Sequence, residues 1–232
     1  MIGVFDSGVG GFNALYELRQ ELPFADIAYF ADEANAPYGT KNEDELITLA
    51  ERDVGLLKNL GATHVLIACC TASTVYERLG NEYKENVIPI ISPTVRVLKK
   101  FQRVTVIATE ATVRSHAFSK EIKRESPLCE VLEMPMQELV FEIEAGSRDG
   151  KISHRCNRIL SDISVAAKDF SSEAIVLGCT HFSHLEREIQ RKIPEISVIS
   201  PAREGALALT KIIKEKNKGF LYECGRTVYI RS

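Results

Sequence analysis

Ile67-Ala68-Cys69-Cys70-Thr71-Ala72-Ser73 closes an apolar run that begins at His64. More than a hundred residues later, Gly178-Cys179-Thr180-His181 closes the run Ala174-Ile175-Val176-Leu177. A short apolar run bounded by turn residues reads as a buried strand, and a segment of helical character follows each one. A strand that ends in a turn and then starts a helix delivers its side chains to the carboxyl edge of a sheet. In open α/β folds that edge is where ligands bind. A thiol just ahead of a helix also meets backbone N–H groups and a partial positive charge, which favour thiolate. Two such thiols on similar units suggest a pair facing each other across a cleft.

Outward from these stretches the same order recurs: strand, turn, helix. Strands are expected at 2–6, 26–32, 64–68, 87–91, 104–108, 130–134, 174–177 and 197–200, with 227–230 as an edge strand. Helices are expected at 12–22, 43–60, 72–79, 113–123, 136–145, 152–170, 184–192 and 204–216. Strands alternating with helices argue for parallel sheets wrapped by helices. Ser92-Pro93 breaks the pattern, which then starts again. The expected fold is therefore α/β, with two similar domains, each a mostly parallel sheet flanked by helices. The active site would lie in the cleft between them. Residues 1–93 with 205–232 form the first expected domain and 94–204 the second, because the late helix can return to the first unit.

Composition removes several function classes. A formal net charge of −3 over 232 residues offers no electrostatic footprint for nucleic acid. No apolar run is long enough to cross a bilayer, and Met1 leads directly into a strand pattern. The expectation is a cytoplasmic protein whose six cysteines are reduced. Cys69-Cys70 and Cys179-Thr180-His181 lack the usual spacing of zinc ligands, so no metal is expected. Cys129, Cys156 and Cys224 read as packing residues.

Asp6-Ser7-Gly8-Val9-Gly10-Gly11 joins the first strand to its helix. A dinucleotide fingerprint, with Asp32 as the ribose acid, would need a third glycine where this chain has Asn13. The turn itself requires no ligand, but that leaves Asp6 unexplained. Thr71 and Thr180 sit just behind the two thiols, able to cap a helix or to meet a substrate carboxylate. His181 can exchange a proton or stabilise a thiolate. A one-thiol nucleophile mechanism leaves the second thiol superfluous, and a redox pair more naturally uses C-x-x-C spacing. Taking a proton from one face of a carbon and returning one to the other face requires two bases on opposite sides. One thiolate and one thiol meet that need and exchange roles with direction. The residues point to a racemase or epimerase, and no lysine setting marks a pyridoxal phosphate site.

The chain resembles the cofactor-independent glutamate racemases of the aspartate/glutamate racemase superfamily. Residues 2–11, Tyr29-Phe30-Ala31-Asp32, Pro37-Tyr38-Gly39-Thr40-Lys41, Ile67-Ala68-Cys69 with Thr71-Ala72-Ser73, 109–115 and Leu177-Gly178-Cys179-Thr180-His181 carry the likeness in order. The resemblance implies a homodimer that supplies D-glutamate for peptidoglycan without a cofactor. It implies Cys69 as the base acting on D-glutamate and Cys179 as the base acting on L-glutamate. Asp6 would assist the first thiol, His181 the second, and Glu144 would be an auxiliary acid. Ser7, Pro37, Tyr38, Gly39, Cys70, Thr71, Thr109, Thr112 and Thr180 match positions that contact the amino-acid substrate. Cys70 stands where the family has Asn, so a weak thiol replaces an amide that both donates and accepts hydrogen bonds. Phe141 stands where the family usually has Pro. The departure at Cys70 leaves two alternatives: a racemase of aspartate or another acidic amino acid, and a catalytically weakened binding or regulatory homologue.

Overall fold

The structure, a computed structural model, describes residues 1–146, 153–216 and 225–232. Nine strands are present among them: β1 Ile2–Asp6, β2 Ile27–Ala31, β3 His64–Ile67, β4 Val87–Pro89, β5 Arg103–Ala108, β6 Glu130–Pro135, β7 Ala174–Gly178, β8 Ser197–Ile199 and β9 Thr227–Arg231. The helices are α1 Phe12–Glu21, α2 Glu43–Asn59, α3 Cys70–Ser73, α4 Asn81–Lys84, α5 Ile91–Leu98 and α6 Glu110–Ser115. After them come α7 Ala117–Glu125, α8 Gln137–Gly146, α9 His154–Asp169, α10 Glu186–Lys192 and α11 Pro201–Lys216. The strands form two sheets, ordered β4-β3-β1-β2-β9 and β6-β5-β7-β8, and every recorded pairing is parallel.

Parallel strands covered on both faces are nearly continuous apolar runs, with polar residues confined to their ends. All residues of β1, β2, β3 and β7 are accordingly buried. The register then aligns the functional ends. Phe5 pairs with Ile67, so Asp6 lies beside the β3 exit that carries Cys69. Ala108 pairs with Gly178, so Thr109 and Cys179 leave the second sheet side by side. Helix α2 starts cleanly because Asn42 accepts from the Glu45 amide while the Glu45 carboxylate accepts from the Asn42 amide.

Helix α11 packs on α1 and α5, and β9 extends the first sheet beside β2. The largest core cluster runs from Val4 and Leu66 through Val95 and Leu209 to Val104, Val106 and Val176. The two sheets therefore share apolar packing through α5 and α11. We propose the division 1–93 with 205–232 and 94–204 on the grouping of the strands.

Several expected helices differ in detail. The segment 72–79 is α3, followed by a single 3-10 turn at Tyr76–Arg78. The segment 113–123 is two helices, broken where His116 adopts a left-handed conformation at φ 55°. Ser92-Pro93 begins α5 rather than interrupting the chain, since a proline in a first turn removes no intrahelical hydrogen bond. Helix α10 is preceded by a 3-10 segment, Thr180–Leu185. The first residue of the expected 152–170 helix, and Cys224, lie outside the described residues.

Candidate active site

Four strand exits converge. Asp6 ends β1, and its carboxylate accepts from the amides of Gly8 and Gly11, each at 3.1 Å. The glycine turn is drawn onto this carboxylate so closely that a β-carbon at Gly11 would lie 2.5 Å from Asp6 Cβ. Thr180 Oγ1, from the other sheet, donates to Asp6 Oδ1 at 3.2 Å. Burial pushes the Asp6 carboxyl up to about 6, against the pull of His181 and these donors.

Cys69 follows β3 and caps α3. Its thiol donates to Ser7 Oγ at 3.5 Å and its sulfur accepts from the Ala72 amide at 3.5 Å. The thiol is buried, and burial, followed by the nearby Asp6 charge, pushes it up to about 12. Cys179 follows β7 in a different setting. Its sulfur lies 3.6 Å from His181 Nδ1, and His181 Nε2 lies 3.3 Å from Glu144 Oε1. Burial lowers His181, but hydrogen bonds to Cys179 and Glu144 and the charges of Cys179 and Asp6 outweigh it and raise the imidazole to about 11. The same hydrogen bond to His181 holds Glu144 below its ordinary value. One thiol is therefore kept neutral, and the other faces an imidazolium.

Thr71, Thr109 and Thr112 form a hydroxyl triangle with sides of 2.9, 3.1 and 2.9 Å. Thr109 also caps α6 by accepting from the Thr112 amide. Across from them, residues 36–40 bring Pro37, Tyr38 and Gly39 over the site. The Tyr38 hydroxyl turns away, lying 2.6 Å from Asp32 and 3.0 Å from Asp53. Arg52 bridges the same two carboxylates at 2.7 and 2.6 Å. Asp32, weighed as a ribose acid, belongs to this cluster.

Twelve of the fourteen residues singled out in the sequence line one small cavity of about 30 Å³. Asp6 and Thr112 do not: Asp6 sits behind Thr180, and Thr112 behind Thr71 and Thr109. Gly8, Ala36, Gln137 and Val140 complete the lining and were not singled out. The strand-end rule, applied to β6 as it was to β3 and β7, would have reached Gln137. No Lys or Arg is among these lining residues. A larger groove of about 570 Å³, past Lys41 and Arg114, contains neither Cys69 nor Cys179. Among the described residues, no group of three or more His, Cys, Asp or Glu side chains is arranged to hold a metal ion.

The family described as Asp/Glu/Hydantoin racemase matches residues 20–209. The chain belongs to that family. Among its relatives, the glutamate racemase of Aquifex aeolicus is 32% identical over 226 residues, covering 95% of this chain and 86% of the relative. That of Geobacter metallireducens is 35% identical over 219 residues, covering 92% and 80%. The solved structure of a glutamate racemase from Francisella tularensis in complex with D-glutamate superposes with a TM-score of 0.87. It is 29% identical, with 99% of this chain and 86% of that one covered. As an amino-acid racemase, the chain is an isomerase, and its two α/β units match the architecture of these structures.

Proposed function

We propose that this racemase interconverts L- and D-glutamate by moving protons between two thiols, with no cofactor. The observation that carries the reading is the convergence of Cys69 and Cys179 on one cavity in opposite electrostatic settings. His181, 3.6 Å from the Cys179 sulfur and held by Glu144, is placed to assist proton transfer at that thiol, and burial beside Asp6 supports a neutral thiol at Cys69. From L-glutamate, Cys179 removes the α-proton, the electron pair passes into the carboxylate-stabilised carbanion, and the Cys69 thiol delivers its proton to the opposite face. The D product then leaves behind a Cys69 thiolate and a Cys179 thiol. Ser7 and the Ala72 amide stabilise that thiolate, and D-glutamate reverses the steps.

In this scheme Asp6 assists Cys69, and His181, held by Glu144, assists Cys179. Ser7, Thr71, Thr109, Thr180, Cys70 and the Pro37-Tyr38-Gly39 segment surround the substrate with neutral groups, and Thr112 supports the threonine triangle. Such donors hold the substrate carboxylates and stabilise the negative charge that spreads from the α-carbon into the α-carboxylate as the proton leaves. A cavity of about 30 Å³ has room for a water or two, so the walls must part to admit glutamate. All five cysteines among the described residues are free thiols, which supports a reducing cytoplasmic setting. Supply of D-glutamate to peptidoglycan and a homodimeric state complete the proposal.

The test uses purified protein in deuterated buffer without added cofactor. L- and D-glutamate and L- and D-aspartate are offered separately, and α-proton loss is followed by NMR alongside optical rotation. Exchange with inversion on glutamate is the expected result. Inversion on aspartate alone would move the substrate, and no exchange on any of the four would overturn the catalytic reading.

A further inference from the structure

We infer that Gln137 is a substrate-binding residue of this site, its carboxamide hydrogen-bonding the amino acid directly. The inference rests on the racemase reading above and adds a residue to it. Gln137 is the first residue of α8, directly beyond β6, and its side chain is only 5% exposed. It lines the same cavity as both thiols. Yet neither its Nε2 nor its Oε1 has a hydrogen-bond partner among the described residues. A buried amide is normally satisfied, because stripping it of water without replacement is costly. Here both halves are left open in the wall of a site built to take a polar molecule.

The neighbours define what would satisfy it. A β-carbon at Gly39 would collide with Gln137 Oε1 and lie 2.8 Å from Thr109 Cβ, so the amide rests on bare backbone of the 36–40 segment. That contact joins the second sheet's α8 to the loop that follows β2. Among the described residues no Lys or Arg lines the cavity, and the Thr71, Thr109 and Thr112 hydroxyls already engage one another. Cys70 offers only a thiol. An acidic amino acid entering here needs further neutral donors for its carboxylates and an acceptor for its ammonium group. A carboxamide supplies both, Nε2 donating to a carboxylate oxygen and Oε1 accepting from the ammonium group.

The test compares Gln137→Leu with wild type in racemisation of glutamate and in thermal unfolding, with and without D-glutamate. Leucine has nearly the same volume and removes both polar atoms. The expected result is a KM raised by ~10–100-fold, the worth of one or two hydrogen bonds to charged groups. The Tm without ligand stays equal or rises, since the free protein loses no partner. The shift in Tm produced by D-glutamate shrinks. A structural role for Gln137 would instead lower the Tm and leave KM unchanged. If the leucine variant does not fold, Gln137→Asn draws the amide back by one methylene and is expected to raise KM in the same way. Wild-type activity with KM in the folded variant within twofold of wild type overturns the role of Gln137 alone. A wild type that neither turns over nor is stabilised by any acidic amino acid overturns both readings.

Discussion

Asp53→Asn is expected to make the protein more stable at pH 8 and to leave its stability at pH 4 unchanged. Asp53 is fully buried on α2, with Tyr38 and Arg52 as its partners. The Tyr38 hydroxyl has one proton, and at 2.6 Å that proton goes to Asp32. The bond to Asp53, at 3.0 Å, draws on the same single proton, so Asp53 is the less well satisfied of the two carboxylates. Burial and the neighbouring Asp32 charge, only partly offset by Arg52, push Asp53 from an ordinary 3.8 up to about 6. The folded protein thus holds the Asp53 proton more tightly than the unfolded chain. Its stabilising effect is complete below pH 3.8 and lost as pH rises through 6. At ~1.4 kcal/mol for each unit of pKa, the loss comes to about 3 kcal/mol. Asparagine imitates the protonated form: its Oδ1 accepts from Arg52 and its Nδ2 donates to Tyr38. Asp6 is raised in the same direction, but it is present in both proteins and cancels in the comparison. The chain has no tryptophan, so the assay is urea unfolding followed by far-UV circular dichroism from pH 4 to 8. The variant should match wild type at pH 4 and lead it by about 3 kcal/mol at pH 8. A difference that does not change with pH, or a variant weaker at pH 8, would refute the reasoning.

Two further changes probe the site. Cys70→Asn places an amide in a wall that now has a thiol, and KM for glutamate should fall several-fold. An unchanged or higher KM would show Cys70 to be suited to a different ligand. Glu144→Gln removes the carboxylate that helps hold His181 near 11, so the alkaline limb of kcat/KM should move to lower pH. Because a racemase relates the two directions through an equilibrium constant near one, kcat/KM should fall about equally in both, roughly tenfold. A pH profile identical to wild type would remove Glu144 from the account.

Much of the architecture was legible because each strand is a short apolar run ending in a turn. Ala174-Ile175-Val176-Leu177 could be read as a buried strand, and the short run 227–230, rich in β-branched and aromatic residues, matches the edge strand β9. Local breaks were not legible, since they depend on single backbone conformations. Nothing in the sequence around His116 announces a left-handed residue, and Pro93 reads as a stop until its place in a first turn is known. The thiols, Asp6 and His181 stood out because each sits beside a strand end. The cluster of Asp32, Tyr38, Arg52 and Asp53 did not, because it joins a loop to a helix through side chains alone. Asp53 nevertheless lies on the buried stripe of α2 with Leu46, Ala50, Val54 and Leu57, and a carboxylate on that stripe was a readable sign. Gln137 was missed for a related reason. Its importance lies in the lack of a partner, which only three-dimensional packing reveals.

The central claim is that two thiols act on opposite faces of one carbon. The most direct test follows α-proton exchange by NMR in deuterated buffer with Cys179→Ala and Cys69→Ala, each offered L- and D-glutamate separately. A variant with one base left can remove a proton from its own face and return deuterium there, but it cannot invert. Cys179→Ala should therefore exchange only D-glutamate and Cys69→Ala only L-glutamate, with optical rotation constant in both. Inversion by either variant, or equal exchange of both enantiomers, would contradict the account.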